Sequence, residues 1–229
     1  MTTAFIPTLD NQPFAHDLGK IVCIGRNYAA HAAELNNPIP QTPLLFIKPA
    51  TAAVALEQTF VIPRDRGAVH HEVELAILIG KKLVNADVNA ARDAIAGLGI
   101  ALDLTLRDVQ DQLKKDGHPW ERAKSFDGAY PVSGFISAAG IGLQNMDLQN
   151  IDISLIRNGN LQQQGNTAQM LFPVLELLSE ISRNFTLLPG DIVSTGTPAG
   201  VGGLNVGDRL HLALRQDQRV LIDIDTQVV

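Results

Sequence analysis

The sequence predicts an α+β fold in which short strands outnumber helices. Apolar runs such as "KIVCIG" (20–25) and "PLLFIKP" (43–49) are short and end at glycine or proline, as strands do. Only a few segments carry a helical pattern, among them "FPVLELLSEISRN" (172–184). Strands and helices do not alternate regularly, which argues against a doubly wound parallel sheet.

The composition is that of a globular protein with a sizeable core. The chain has 229 residues, of which 45% are hydrophobic and 18% charged. Its net charge is −6 and it has no basic stripe, so we expect no nucleic-acid partner. It has no apolar run of membrane-spanning length and no basic, apolar leader, so a cytoplasmic protein is expected. The single cysteine, Cys23, lies in an apolar strand and is expected to be a buried core thiol.

Local signals predict the elements in chain order. After "KIVCIG", Asn27 is expected to cap a short helix over "RNYAAHAAELN". "TFVIP" and "VHHEVELAILIG" are expected to pair as strands around the turn "RDRG". "NADVNAARDAIAG" predicts a helix with Gly97 near its end, and "GLGIALDLT" predicts a strand. The helix "TLRDVQDQLKKDG" follows, with Thr105 and Gly117 as its expected caps, and strands with glycine turns form the tail.

Two glutamates in one predicted strand, Glu72 and Glu74, raise a question of charge. Residues two apart on a strand share a face, so these carboxylates would repel each other. A divalent cation would remove the repulsion, and Asp103, at the end of another strand, offers a third oxygen ligand. A solvated or charge-protected strand face is the alternative that spacing alone leaves open. His70 and His71 flank the pair, and we expect neither to be a ligand.

Two further groups offer chemistry. His31 and Glu34 are three residues apart on the short helix, where a carboxylate can orient an imidazole as a general base. A surface histidine beside a chance glutamate is the alternative. The turn "STGTPAG" (194–200) carries Thr197, and its amides and hydroxyl could hold a carboxylate.

Taken together and in order, six segments resemble the fumarylacetoacetate hydrolase family. They are "IVCIGRNYAAHAAEL", "LLFIKP", "HHEVELAILIGK", "GIALDLTLRDVQ", "RAKSFDGAYPVSGFI" and "STGTPAGVG". The short chain resembles the compact acylpyruvate hydrolase and oxaloacetate decarboxylase branch. The resemblance implies a β-rich roll with flanking helices, usually a homodimer. It implies a short N-terminal extension (1–17) and one catalytic domain (18–229).

The resemblance also implies the site residues. Mg²⁺ or Mn²⁺ would be held by Glu72, Glu74 and Asp103. Catalysis would fall to His31, Glu34 and Lys124, with the His–Glu dyad on a lid over the ligand. The residues that match the family's substrate-lining positions are Arg26, Lys48, Gln110 and Thr197.

The expected function is metal-dependent hydrolysis of the carbon–carbon bond of 2,4-dioxo acids (acylpyruvates), giving pyruvate and a carboxylic acid. A dication would stabilise the pyruvate enolate that this cleavage leaves. The alternatives are oxaloacetate decarboxylation or tautomerisation, and isomerisation of an unsaturated 2-oxo diacid. A reading from another class, a non-catalytic metal or ligand binder, predicts tight binding of oxalate or pyruvate without turnover.

Overall fold

A computed structural model describes residues 5–229, so the first four residues of the expected N-terminal extension lie outside the described residues. Strands dominate the architecture, and the α+β prediction is confirmed. In chain order the strands are β1 (Thr8–Leu9), β2 (Gln12–Pro13), β3 (Lys20–Gly25), β4 (Leu44–Pro49), β5 (Ala53–Ala55), β6 (Val69–His71), β7 (Val73–Ile79), β8 (Ile95–Leu102), β9 (Thr105–Leu106), β10 (Tyr130–Val132), β11 (Ile136–Ser137), β12 (Asp152–Arg157), β13 (Asn160–Asn166), β14 (Ile192–Ser194), β15 (Gly202–Gly203), β16 (Arg209–Gln216) and β17 (Arg219–Gln227).

The helices are short and lie around the sheets. They are α1 (Ala29–Glu34), α2 (Val88–Asp93), α3 (Arg107–Asp116), α4 (Glu121–Lys124), α5 (Ala138–Ile141) and α6 (Val174–Asn184). Single turns of 3₁₀-helix cover Ala50–Ala52, Leu143–Asn145 and Thr167–Gln169. Across residues 5–229, none of the helices is long and apolar enough to cross a membrane.

The largest sheet is mixed and has the strand order β4-β3-β14-β7-β8-β10-β5, with β11 also paired to β8. Its strand β14 runs parallel to β3 and antiparallel to β7. All seven residues of β7 are buried, which explains why "VELAILI" reads as an apolar run interrupted by one glutamate. Cys23 is a free, buried thiol on β3, as expected.

A second sheet, with the order β13-β12-β16-β17, covers part of the first, because β12 contacts β7 and β16 contacts β8. The expected N-terminal extension forms the hairpin β1-β2, which is fastened to the segment before β11. Phe135 donates its amide to the carbonyl of Thr8 at 2.8 Å, and Asp10 donates its amide to the carbonyl of Phe135 at 2.9 Å.

Strand pairing changes at Glu72, between β6 and β7, and this change positions the site. Strand β6 pairs with β9 and β15, whereas β7, which starts one residue after Glu72, pairs with β8. The amide of Asp103 donates to the carbonyl of Glu72 at 2.9 Å, so the two acids meet where the strands diverge. The register that pairs Val73 with Leu102 fixes this meeting.

Two element predictions were wrong for tertiary reasons. "TFVIP" is not a strand: Phe60 makes an isolated bridge with Val228, and β6 pairs elsewhere. Gly97 lies inside β8 rather than at a helix end, because the chain there pairs with β11. A Cβ at Gly97 would lie 2.5 Å from the carbonyl oxygen of Ile136, so glycine permits this close approach.

The predicted helix caps had mixed outcomes. Asn27 does not cap α1; its side-chain amide donates to the carbonyl of Thr195 at 2.8 Å, which ties the start of this segment to the "STGTPAG" turn. Thr105 does not cap α3, since its hydroxyl donates to the carbonyl of Asp103. Gly117 ends α3 in the left-handed conformation with φ +68°, as predicted.

Candidate active site

Three carboxylates meet at the point where β7 and β8 diverge from β6 and β9. Glu72, Glu74 and Asp103 each offer an oxygen within 4.8 Å of the other two. All three side chains are buried, at 5%, 1% and 1% exposure, so a solvated strand face does not describe them. We call these residues the carboxylate cluster. Buried like charges at this separation require compensation from nearby cations.

Three buried cationic side chains, which we call the inner cations, surround the cluster: Lys48, Lys124 and Arg107. The ammonium of Lys124 donates to Oε2 of Glu72 at 2.8 Å and to Oδ2 of Asp103 at 2.7 Å. Arg107 donates from Nη2 to Oε1 of Glu72. The Nζ atom of Lys48 lies 2.8 Å from Oδ1 of Asp103. Each inner cation therefore contacts a carboxylate of the cluster.

The cations reach the three acids unequally, and the pKa values diverge. Burial acts to raise the pKa of Glu72, but Lys124, Arg107 and His31 outweigh it and hold that pKa well below its usual range. Burial and the charge of Asp103 raise the pKa of Glu74 to about 8, against the donors it has from Ser194 and Gly196. Burial opposes the charge of Lys124, yet Asp103 and Glu72 raise the pKa of its ammonium above the usual value.

The donor set fits a hard divalent cation. The oxygens are carboxylate oxygens, which Mg²⁺ and Mn²⁺ prefer. Oδ1 of Asp103 is buried and accepts no hydrogen bond from any described residue, although Lys48 lies beside it. Oε2 of Glu74 accepts from the hydroxyl of Ser194 and from the amide of Gly196 at 2.8 Å. Oε1 of Glu74 stays available to a metal.

Helix α1 brings the expected His–Glu pair to the same cavity. Nδ1 of His31 lies 3.3 Å from Oε2 of Glu34, and His31 is buried at 5% exposure. Glu34 is partly exposed and also accepts the amide of Gly200 at 3.0 Å and 3.2 Å, one bond to each oxygen. The carboxylate therefore joins α1 to the end of the "STGTPAG" turn while it orients the imidazole.

The expected substrate-lining residues divide into two kinds. Arg26, Gln110 and Thr197 line the cavity together with the carboxylate cluster. Lys48 does not: it is fully buried behind Asp103, and its ammonium donates to the carbonyls of Lys124 and, at 3.1 Å, Ala129. The position of Lys48 indicates a structural role.

The hydroxyl of Thr197 is already engaged. It donates to the carbonyl of Val73 at 2.8 Å and accepts from the side-chain amide of Gln163 at 2.8 Å. Gln163 is fully buried and also accepts from the amide of Val73 at 3.0 Å and contacts Nδ1 of His71 at 2.8 Å. His71 therefore belongs to the network that holds the turn, and neither His70 nor His71 joins the carboxylate cluster.

Sequence reasoning missed Arg107, Ser194 and Gln163. Arg107 donates to Oε1 of Gln110 at 2.7 Å, a contact between residues three apart on α3, which the spacing alone could have indicated. Ser194 contacts Glu74, 120 positions away, and Gln163 contacts Val73, 90 positions away, so no local signal marks either residue.

The cavity at the carboxylate cluster has a volume of about 30 Å³. His31 and Leu35, at the end of α1, form part of its wall. Trp120 and Phe46 supply an aromatic side, with their rings 5.9 Å apart. The cavity wall therefore combines carboxylate, cationic, imidazole and aromatic side chains.

The sequence model of the family described as "Fumarylacetoacetate (FAA) hydrolase C-terminal" matches residues 20–229. The oxaloacetate tautomerase YcgM of Escherichia coli (strain K12) is 52% identical over 195 residues, covering 85% of this chain and 88% of that protein. The mitochondrial oxaloacetate tautomerase of Saccharomyces cerevisiae is 39% identical over 234 residues, covering 90% of each chain.

A solved structure shares the fold as well. The fumarylpyruvate hydrolase from Pseudomonas aeruginosa, in complex with Mn²⁺ and pyruvate, superposes with a TM-score of 0.89 at 34% identity. The superposition covers 100% of this chain and 97% of that one. The family match over residues 20–229, the similar proteins and the shared fold lead to one conclusion: this chain is an enzyme of the fumarylacetoacetate hydrolase family.

Proposed function

We propose that this enzyme interconverts the keto and enol forms of oxaloacetate, with Mg²⁺ or Mn²⁺ held by the carboxylate cluster. The observation that carries the proposal is one small cavity lined by both Glu72, Glu74 and Asp103 and the His31 side chain. The cavity thus combines a donor set for a dication with a base for moving a proton. The names of the similar proteins from E. coli and S. cerevisiae support oxaloacetate as the substrate.

When bound, the cation would be held by Glu72, Glu74 and Asp103 and would supply Lewis acidity that acidifies the C–H bond beside the keto group of the substrate. Keto–enol conversion then needs two proton movements: the C3–H bond breaks and an O–H bond forms at the C2 oxygen. His31 is the base for the first movement, because Nδ1 lies against Glu34 and Nε2 is left to face the substrate. Glu34 stabilises the imidazolium that forms.

Lys124 is the side chain for the second movement. Its ammonium lies within 2.8 Å of carboxylate oxygens on both Glu72 and Asp103, at the centre of the cluster. A positive charge held there stabilises negative charge that develops on the C2 oxygen, and its N–H can donate a proton to that oxygen. The starting state is restored when the His31 imidazolium loses its proton to solvent and Lys124 regains one from solvent. Arg107 holds Glu72 from the other side and so keeps the cluster in place.

Hydrolysis of an acylpyruvate is the second candidate function. The Mn²⁺- and pyruvate-bound structural neighbour is a fumarylpyruvate hydrolase, which supports it. In that reaction His31 would take a proton from the attacking water rather than from carbon. The similar proteins are named for oxaloacetate, and we therefore place tautomerisation first. The homodimer expected from the sequence stays a prediction.

The test is a keto–enol assay with Mg²⁺ or Mn²⁺, following the ultraviolet absorbance of enol-oxaloacetate. We expect the wild-type protein to accelerate the conversion, EDTA to abolish the acceleration, and His31→Asn to reduce it by roughly 10²-fold or more. His16→Asn, at an exposed histidine, is the matched control. The release of pyruvate and the cleavage of acetylpyruvate are measured in parallel. If the protein cleaves acetylpyruvate while the keto–enol conversion of oxaloacetate proceeds at its spontaneous rate, tautomerisation is refuted. Tight oxalate binding without any turnover would refute both reactions.

A further inference from the structure

Arg26 is a cationic residue that lines the candidate site. It follows β3 directly and lines the cavity, yet its guanidinium makes no hydrogen bond or ion pair with any residue of the described part of the chain. Its backbone has φ +61°, a conformation that residues other than glycine rarely adopt. Such strain persists only where neighbouring contacts enforce it.

The contacts that enforce this backbone also fix the position of Arg26. On one side, a Cβ built on Gly25 would lie 3.6 Å from Cζ3 of Trp120, so the turn packs against the indole. On the other side, the side-chain amide of Asn27 donates to the carbonyl of Thr195 at 2.8 Å and to that of Phe172 at 3.1 Å. Arg26 is therefore held beside Trp120 by neighbours on both sides.

Lys114 lies against the same indole from helix α3. Its Nζ is 5.7 Å from the centroid of the Trp120 ring and it lines the same cavity. Its nearest carboxylate is Oδ1 of Asp111 at 3.9 Å, on a largely exposed side chain, which is a weak partner. Burial lowers the pKa of Lys114, and the charges of Arg107 and Arg26 lower it further, whereas the carboxylates of Asp111 and Glu72 act to raise it. Arg26 and Lys114 thus line the same cavity, and the carboxylate in contact with Lys114 is a weak, exposed partner.

The inner cations are different, since each contacts a carboxylate of the cluster. Arg26 and Lys114 therefore carry positive charge that no carboxylate of the cluster contacts in a salt bridge, and an anion between them would relieve their repulsion. We propose that Arg26 and Lys114 form a subsite for the distal carboxylate of the substrate, so that the enzyme selects dianionic 2-oxo acids over those with an uncharged tail. This proposal rests on the proposed function, in which the 2-oxo acid end of the substrate occupies the carboxylate cluster.

A matched pair of ligands isolates the subsite without turnover. Malate and lactate share the 2-hydroxy acid end, and malate alone carries a second carboxylate. We expect the Mn²⁺-loaded wild-type protein to bind malate more tightly than lactate in calorimetric titrations. Arg26→Gln and Lys114→Gln should each weaken malate binding by about tenfold or more, the effect of losing a charged hydrogen bond, and leave lactate binding unchanged. Arg26→Lys and Lys114→Arg should restore part of the preference.

Lys115→Gln is the control, because Lys115 is the neighbouring lysine on α3 and is exposed. Equal weakening of malate and lactate, or no weakening of either, would overturn the subsite. The oxaloacetate assay separates this result from the proposed function. Wild-type protein that prefers malate but does not tautomerise oxaloacetate keeps the subsite and refutes the activity. Wild-type protein that tautomerises oxaloacetate without preferring malate refutes the subsite alone.

Discussion

Replacing Lys48 with methionine tests whether this lysine supports the site from behind or contacts substrate. Lys48 is fully buried, lies 2.8 Å from Oδ1 of Asp103 and donates to three carbonyls, those of Leu104, Lys124 and Ala129. Methionine fills a similar volume but offers neither charge nor donors. The variant therefore leaves the Asp103 carboxylate short of one cation and removes a donor from each carbonyl.

The size of the effect follows from those contacts. Removing one partner of a buried ion pair costs about 3–5 kcal/mol, because the other charge stays buried and uncompensated. The carbonyl of Ala129 retains the amide of Leu104 at 3.0 Å, so we add nothing for that group. A chain of this length loses about 2–4 °C of unfolding temperature per kcal/mol. We therefore expect the midpoint of thermal unfolding to fall by roughly 6–20 °C.

The assay is thermal unfolding of the metal-free protein followed by circular dichroism, with Lys115→Met as the control for an exposed lysine. A substrate-lining role makes the opposite prediction: KM would rise while the unfolding midpoint stayed near that of wild type. A Lys48→Met protein that unfolds within about 2 °C of wild type would refute the supporting role. A large fall in the midpoint would place Lys48 behind the site.

Four further outcomes follow from other contacts in the structure. Ser194→Ala removes a donor to Glu74, so a titration should show Mn²⁺ affinity lower by about tenfold, and unchanged affinity would contradict the role of that hydroxyl. In the folded metal-free protein the pKa of Glu74 is raised from 4.5 to about 8. Between these two pH values the unfolded chain has lost the proton and the folded chain has kept it, so the free energy of unfolding should fall as the pH rises from 4.5 to about 8. Mn²⁺ binding at pH 7 should accordingly release about one proton in calorimetry across two buffers, and no release would count against this pKa. Gly200→Ala puts a Cβ 2.0 Å from the carbonyl oxygen of Gln162, at a residue with φ +99°. Denaturant unfolding should therefore show a free energy of unfolding lower by roughly 3 kcal/mol or more. Gly203→Ala, whose added Cβ meets nothing within 4 Å, should keep the wild-type stability, and equal behaviour of the two variants would contradict the steric argument.

The sequence was informative where one segment carried the whole signal. Glu72 and Glu74 could be paired from their spacing alone, and His31 and Glu34 from a helical turn. Asp103 could be suspected but not placed, because its position depends on the register between β7 and β8. Register is set by the pairing of strands that are distant along the chain, and a single sequence does not reveal it.

Local signals failed where tertiary contacts replaced the expected partner. Asn27 has the composition of a helix cap, yet its amide bonds residues 145 and 168 positions away and so anchors α1 to the "STGTPAG" turn. Gly97 has the composition of a helix end, yet its missing Cβ permits close packing inside β8. In both cases the residue has the expected property, a short polar side chain or no side chain. That property serves a contact with a segment distant along the chain instead of a helix end.

The charges at the site bear on the proposed preference for a dianionic substrate. The carboxylate cluster and the inner cations carry three charges of each sign when every group is ionised, so the buried centre is neutral without metal. With the pKa of Glu74 raised to about 8, the metal-free centre at neutral pH retains a proton and is positive by about one charge. Exchange of that proton for a dication leaves the centre positive by two charges, and a dianionic 2-oxo acid returns it to zero. A monoanion would leave one positive charge of the buried centre uncompensated, which is costly. Arg26 and Lys114 line the same cavity, and on the proposed function they would attract the second negative charge of the substrate.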